Sequence, residues 1–234
     1  MGTRYKVIGF DADDTLWVNE TNYQEVENEF CNLLSDYQPK GFVSDELFAC
    51  EMRNRKTYGF GAKSFILSLI ETALQVSHGQ INQNKISKII ELGKMLIGKP
   101  VLLLEGVEDV LAKLNRLNFK LIVATKGDLL DQKRKLINSK LEKYFGHVEI
   151  MTDKHEDDYL KLLESIQVKP DNFIMVGNSL KSDIIPVLNI GASAAHIPFH
   201  ATWQYENVFS AKIENNNFYR LNNISELLSI LQHV

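Results

Sequence analysis

Short apolar runs and helical periodicities follow one another along this chain, with one long all-helical interruption. Val7-Ile8-Gly9-Phe10 is an apolar run of strand type. Beyond it the period becomes that of a helix. Thr21-Asn22-Tyr23-Gln24 has the spacing of a capping box and opens an amphipathic stretch with Val26, Phe30, Leu33 and Leu34 on one face. A second helix is expected over Asp45–Tyr58, ended by Gly59-Phe60-Gly61. A third carries Phe65, Ile66, Leu69, Ile70, Ala73 and Leu74 at helical spacing, and a fourth carries Ile86, Ile89, Ile90, Gly93, Leu96 and Ile97. Nothing between Trp17 and Lys99 reads as a strand, so this block is expected to be a helical insert.

From Val101 the grammar changes. A helix through Val107, Leu111, Leu114 and Leu117 precedes the apolar run Phe119–Thr125. A helix from Asp128 leads to a strand at Val148–Met151, and a helix over Glu156–Ile166 leads to one at Phe173–Gly177. A helix near Asp183–Leu188, strands near Ala194–Ile197 and Phe218–Leu221, and a helix capped by Asn223-Ile224-Ser225-Glu226 close the chain. Apolar strands separated by helices of this length predict an α/β fold, a doubly wound parallel sheet covered on both faces. The expected organisation is an α/β core of residues 1–16 and 101–234 and a helical domain of residues 17–100.

Composition narrows the classes. With 234 residues and 44% hydrophobic content the chain can bury a sizeable core. A net charge of -4 argues against a nucleic-acid partner, which needs a basic face. No apolar run approaches the roughly 20 residues that span a bilayer, and Met1–Tyr5 enters the first strand without a leader segment. Lys6 stands where a myristoylation signal needs Ser or Thr. Cys31 and Cys50 match no metal spacing and read as buried thiols in a reducing compartment. The expected location is cytoplasmic; oligomeric state is not legible.

Ligands of open parallel sheets bind at the carboxyl ends of the strands, near the switch in strand order. Four of the expected strand ends carry polar groups. The first offers Asp11 and Asp13, which a turn from Ala12 brings around one small space. Two close carboxylates repel unless a cation lies between them or one keeps a proton. The second strand ends in Thr125-Lys126-Gly127-Asp128, a hydroxyl and a helix start suited to phosphoryl oxygens. Lys154 follows the third, and Gly177-Asn178-Ser179-Leu180-Lys181-Ser182-Asp183 the fourth.

These four segments, in this order, resemble the motifs of the haloacid dehalogenase-like superfamily of Mg²⁺-dependent phosphatases, with the helical block in the place of that family's inserted cap domain. The resemblance implies that Asp11 attacks phosphorus and becomes an aspartyl-phosphate. It implies that Asp13 protonates the leaving alcohol and then activates water. Thr125, with Lys126 and Gly127, would hold the substrate's phosphoryl oxygens, and Lys154 would compensate charge. Asp11, Asp183, Asn178 and the backbone carbonyl of Asp13 would ligate Mg²⁺. The implied activity is hydrolysis of a small phosphorylated metabolite.

Two positions depart from the family pattern. Asn178 stands where Asp is frequent, which removes one negative charge beside the metal. Lys126 stands where Asn is frequent; it either reaches the phosphoryl group or points to solvent. Phosphomutase and haloacid dehalogenase chemistry remain alternatives on the same fold, as does a non-catalytic phospho-ligand-binding protein; the proton carrier Asp13 argues against dehalogenation, since a halide leaves without a proton. Gly59-Phe60-Gly61 with Lys63 is either a substrate-contacting loop or an interhelical turn. Trp17 is expected to pack beside the first motif, His196 to line a strand end, and His200 to lie in a loop.

Overall fold

The computed structural model describes residues 4–206 and 213–232 of the chain. The described residues divide into two compact units. The first comprises 1–20, 101–126 and 134–234; the second comprises 21–100 with 127–133.

The first unit is built on a six-stranded, wholly parallel sheet of order β3-β2-β1-β4-β5-β6. Its strands are β1 (Val7–Phe10), β2 (Lys120–Lys126), β3 (His147–Met151), β4 (Phe173–Gly177), β5 (Ser193–His196) and β6 (Phe218–Arg220). Every strand expected from the apolar runs is present, within a residue or two of its expected ends. The period of two along each strand divides the core in two. On one face Ile8, Phe10, Leu121, Val123, Ile174 and Val176 pack with Leu111 and Leu114 of α5 (Val107–Arg116) and Leu227 of α9 (Leu227–Gln232). On the other, Val7, Ile122, Ala124, Phe173 and Met175 pack with Tyr159, Leu162 and Leu163 of α7 (Glu156–Ser165) and Val187 of α8 (Ile185–Asn189). Helices on both faces explain why these strands read as continuous apolar runs rather than alternating ones. The strand order reverses between β1 and β4, so their carboxyl ends flank the crevice where such sheets bind ligands.

The second unit has its own core, formed by Val26, Phe30 and Leu34 of α1 (Glu20–Leu33 and the turn after it), Val43 and Leu47 of α2 (Lys40–Tyr58), Phe65, Leu69 and Ala73 of α3 (Ala62–Val76), and Ile89 and Leu96 of α4 (Gln83–Gly98). Asn82 caps α4 through its side chain. Cys31 and Cys50 are buried here as free thiols, and burial pushes Cys31 up to about 11. Lys63, in the first turn of α3, pairs with Asp128 at 3.0 Å within this unit, and Gly61 lies so close to the Asp128 backbone nitrogen that an added Cβ would sit 2.7 Å from it. These contacts explain why 127–133 group with the helices.

Four details differ from the sequence pattern. The first helix starts at Glu20, not at the capping box, because Asp14 accepts the backbone N–H groups of Asn19 and Glu20 at 2.8–3.1 Å. That cap lies outside the helix's local window. The second starts at Lys40, five residues before expected, because Pro39 pre-sets the first turn and its carbonyl accepts Val43 N–H. The segment near Asp183 is a single π-type turn, Leu180–Ile184, running into α8. Residues 17–20 group with the sheet because Trp17 bridges Asp13 and Leu103, and Val18 N–H binds the Leu102 carbonyl.

Candidate active site

The site begins with strand register. Phe10 is level with Val123 on one side and Val176 on the other. Continuing that register puts Ala12 and Asn178, just past the ends of β1 and β4, level with Thr125 near the end of β2. Asp11 N–H binds the Val176 carbonyl at 2.8 Å. The chain then turns tightly: the Ala12 carbonyl accepts the N–H groups of Thr15 and Leu16, and Asp14 adopts φ 62°. Asp is among the few residues that take this left-handed conformation without large strain.

Asp11, Lys154 and Asp183 form the buried centre, each less than a tenth exposed. Lys154, arriving three residues past β3, donates to Asp11 Oδ1 at 2.5 Å and to Asp183 Oδ1 at 2.7 Å. Asp183 is set by its own turn: Ser179 N–H donates to its Oδ2 at 3.0 Å, and its N–H returns to the Ser179 carbonyl. Gly177 makes room for it. A Cβ there would fall 2.3 Å from Asp183 Oδ2, so no side chain fits. The Thr15 hydroxyl lies 3.1 Å from Asp11 Oδ2 and 3.3 Å from Asn178 Oδ1, and its one proton serves either acceptor.

Electrostatics follow from this count of two buried carboxylates against one ammonium. Burial, with the nearby charge of Asp183, pushes the Asp11 carboxyl up to about 7, against the pull of Lys154. Lys154 is held well above its ordinary range: burial alone would lower it, but the two carboxylates overcome that. Burial likewise pushes Asp14 up to about 7, against the N–H groups it accepts.

A pH test follows from these raised values. Below about pH 4 each Asp is protonated both folded and unfolded. Between about 4 and 7 the unfolded chain ionises first, so the contribution of these groups to stability is lost as pH rises through the folded value. In chelator, the urea midpoint should therefore fall from pH 5 to pH 8, and less steeply in Asp11→Asn, which removes the Asp11 share. An equal slope in that variant would contradict the assignment to Asp11.

The other expected residues have the following places. Thr125 is the penultimate residue of β2 and is 2% exposed. Gly127 adopts φ 135°, and Asp128 caps α6 (Leu129–Ser139) by accepting Asp131 N–H at 2.9 Å. Lys126 does not point to open solvent: its ammonium binds Ser182 Oγ at 2.8 Å and the Glu206 carboxylate. Burial would raise Glu206, but Lys126, Ser179 and Ser182 together hold it below its ordinary range. Asp13 accepts Trp17 Nε1–H at 2.7 Å and the Lys135 ammonium at 2.9 Å. His196, at the end of β5, places Nε2 2.9 Å from the Asn178 carbonyl, and burial lowers its pKa.

Sequence reasoning missed Lys135, Glu206 and the cap made by Asp14. Lys135 sits in the basic run Lys133-Arg134-Lys135, which reads as a solvated face. Its helical neighbours Gln132, Leu136 and Ser139 are buried, but only Leu136 is apolar, so no hydrophobic period marks that face in the sequence. Glu206 comes from a loop with no pattern to mark it.

With fold and site in view, comparison with known proteins defines the class. The family model for haloacid dehalogenase-like hydrolases matches residues 5–191. The chain belongs to that family and is a hydrolase. A glyceraldehyde 3-phosphate phosphatase of Pyrococcus furiosus is 29% identical over 199 residues, covering 80% of this chain and 78% of the relative. A haloacid dehalogenase-like hydrolase of Xanthomonas campestris is 31% identical, with a TM-score of 0.89 over 99% of this chain and 92% of that one. A hydrolase of the family from Bacillus subtilis, solved bound to magnesium, shares the fold at TM-score 0.67 and 18% identity, over 98% of this chain and 99% of that one.

Proposed function

We propose that this hydrolase is a Mg²⁺-dependent phosphatase that cleaves a small phosphate monoester through an aspartyl-phosphate on Asp11. The observation that carries the reading is the buried centre in which Asp11 and Asp183 share one ammonium. It leaves a negative charge without compensation in a dry place, and a second cation answers that need. The donors at hand are all oxygens: the two carboxylates, the Asp13 carbonyl and the Asn178 side chain. Among the described residues no group of three or more His, Cys, Asp or Glu side chains has the arrangement of a metal site. Mg²⁺ fits such a set, because it binds through one or two carboxylates and otherwise keeps water or substrate oxygens. When bound it would offset charge on Asp11 and on the phosphoryl oxygens.

The chain's own residues account for the steps. Asp11 attacks phosphorus in line with the ester oxygen, and the phosphorus–oxygen bond to the alcohol breaks as Asp13 gives that oxygen a proton. Water then attacks the same phosphorus, loses a proton to Asp13 and releases the Asp11 carboxylate. Thr125 and the N–H groups of Lys126 and Gly127 hold the transferring oxygens, and Lys154 neutralises charge on the nucleophile. Phosphoryl transfer depends mostly on such positioning and charge compensation. The name of the Pyrococcus furiosus relative makes three-carbon phosphate esters the first substrates to try. A cytoplasmic location belongs to the same reading; among the described residues no helix is long and apolar enough to cross a membrane.

The test is phosphate release from a panel of phosphorylated metabolites, glyceraldehyde 3-phosphate first, with Mg²⁺ or with chelator. Turnover should fall roughly a hundredfold or more in chelator, the scale of losing one main electrostatic stabiliser. An acid-quenched reaction should contain phosphoenzyme cleaved by hydroxylamine, as an acyl phosphate is. Release that is equally fast in chelator would remove Mg²⁺ from the reading, and a panel with no turnover would remove the activity.

A further inference from the structure

Lys135 lies outside all four strand-end segments, near the middle of α6, yet its side chain is only 12% exposed. Its ammonium sits 2.9 Å from Asp13 Oδ1, 3.1 Å from Asp13 Oδ2 and 2.7 Å from Asn19 Oδ1. Asp13 and Asn19 thus hold the ammonium between them. On the other flank of the same carboxylate the buried indole of Trp17 donates to Oδ1 at 2.7 Å. Asn19 is itself fixed, its backbone N–H bound to Asp14 Oδ1 at 2.8 Å.

We infer that Lys135 is a positioning residue for proton transfer: with Trp17 it holds the Asp13 carboxylate in one direction. This rests on the reading of Asp13 as the group that protonates the leaving alcohol. Lys135 donates to both oxygens of that carboxylate and Trp17 donates to Oδ1. The group that gives its proton to the ester oxygen as the phosphorus–oxygen bond breaks, and takes one back from the attacking water, therefore keeps one orientation.

Direction is what the lysine adds. The terminal torsion of an Asp side chain is broad, so a carboxyl without donors on either flank turns freely. Proton transfer requires a heavy-atom approach of about 2.6–3.2 Å in the reacting complex. A misplacement near 1 Å costs on the order of a hundredfold. An alkyl ester needs this proton, because an alkoxide is a poor leaving group. A nitrophenyl ester needs it far less, because nitrophenolate leaves unaided.

The experiment compares kcat/KM for phenethyl phosphate and para-nitrophenyl phosphate, with Mg²⁺ present, in the parent, Asp13→Asn, Lys135→Met and Lys135→Arg. Each variant is read as the ratio of its alkyl to its aryl value. That ratio is independent of the fraction of protein that folds, so a merely structural loss leaves it unmoved. Asp13→Asn should lower the ratio roughly a hundredfold or more, the usual scale of general acid catalysis. Lys135→Met should lower it about tenfold, the part of that effect lost by misdirection, and Lys135→Arg, which keeps a cationic donor, should recover most of it. If Asp13→Asn moves the ratio and Lys135→Met does not, the positioning role is overturned while the phosphatase reading stands. If Asp13→Asn leaves the ratio unchanged, the acid role of Asp13 falls, and the role of Lys135 with it.

Discussion

Asp11→Asn should reduce kcat/KM toward every phosphate ester by about four orders of magnitude, or about 5 kcal/mol of transition-state stabilisation. The variant is close to isosteric, so the loss would not come from packing. An amide oxygen is a weak nucleophile and cannot form the acyl phosphate, so the covalent route closes rather than slows. The same variant relieves the excess negative charge at the buried centre, because Lys154 then faces Asp183 alone. Activity should therefore collapse while thermal stability in chelator holds or rises. Phosphate release and a melting curve on one preparation check both. A variant that turned over at even a tenth of the parental rate would rule out Asp11 as the nucleophile.

Lys154→Met should have the largest effect on stability. It leaves two carboxylates buried with no ammonium between them, and breaking a buried ion pair from one side typically costs about 3–5 kcal/mol. For a chain of this size that corresponds to a fall in Tm of about 10 °C. The measurement belongs in chelator at pH 8, above the raised value of Asp11, where no divalent ion takes the ammonium's place. At pH 5 the loss should shrink, because Asp11, already pushed up by burial, keeps its proton. The double variant Asp11→Asn, Lys154→Met should recover part of the stability lost by Lys154→Met alone, since groups in contact are not additive. Equal destabilisation at both pH values, with additive behaviour, would mean that Lys154 contributes only packing.

How much of this was legible in the sequence depends on the range of the interaction concerned. The six strands were visible because a sheet covered on both faces demands uninterrupted apolar runs, and Phe119–Thr125 and Phe173–Gly177 supply them. Asp11, Thr125, Lys154 and the segment Gly177–Asp183 could be singled out because each lies at, or within a few residues of, the carboxyl end of an expected strand. Contacts made across long stretches of chain left no such mark. Lys135 reaches Asp13 across 122 positions, and Lys126 reaches Glu206 across 80, so neither could be inferred from local spacing. The start of α1 was misplaced for a related reason, since its capping carboxylate, Asp14, belongs to the preceding turn and not to the helix's own first residues.

The absent side chain at Gly177 has a consequence for how this protein can change over generations. Even a single methyl at that position would displace the carboxylate of Asp183, and that carboxylate shares its counter-ion with Asp11. A substitution at 177 should therefore be tolerated as poorly as one at Asp183 itself, although the glycine carries no charge of its own.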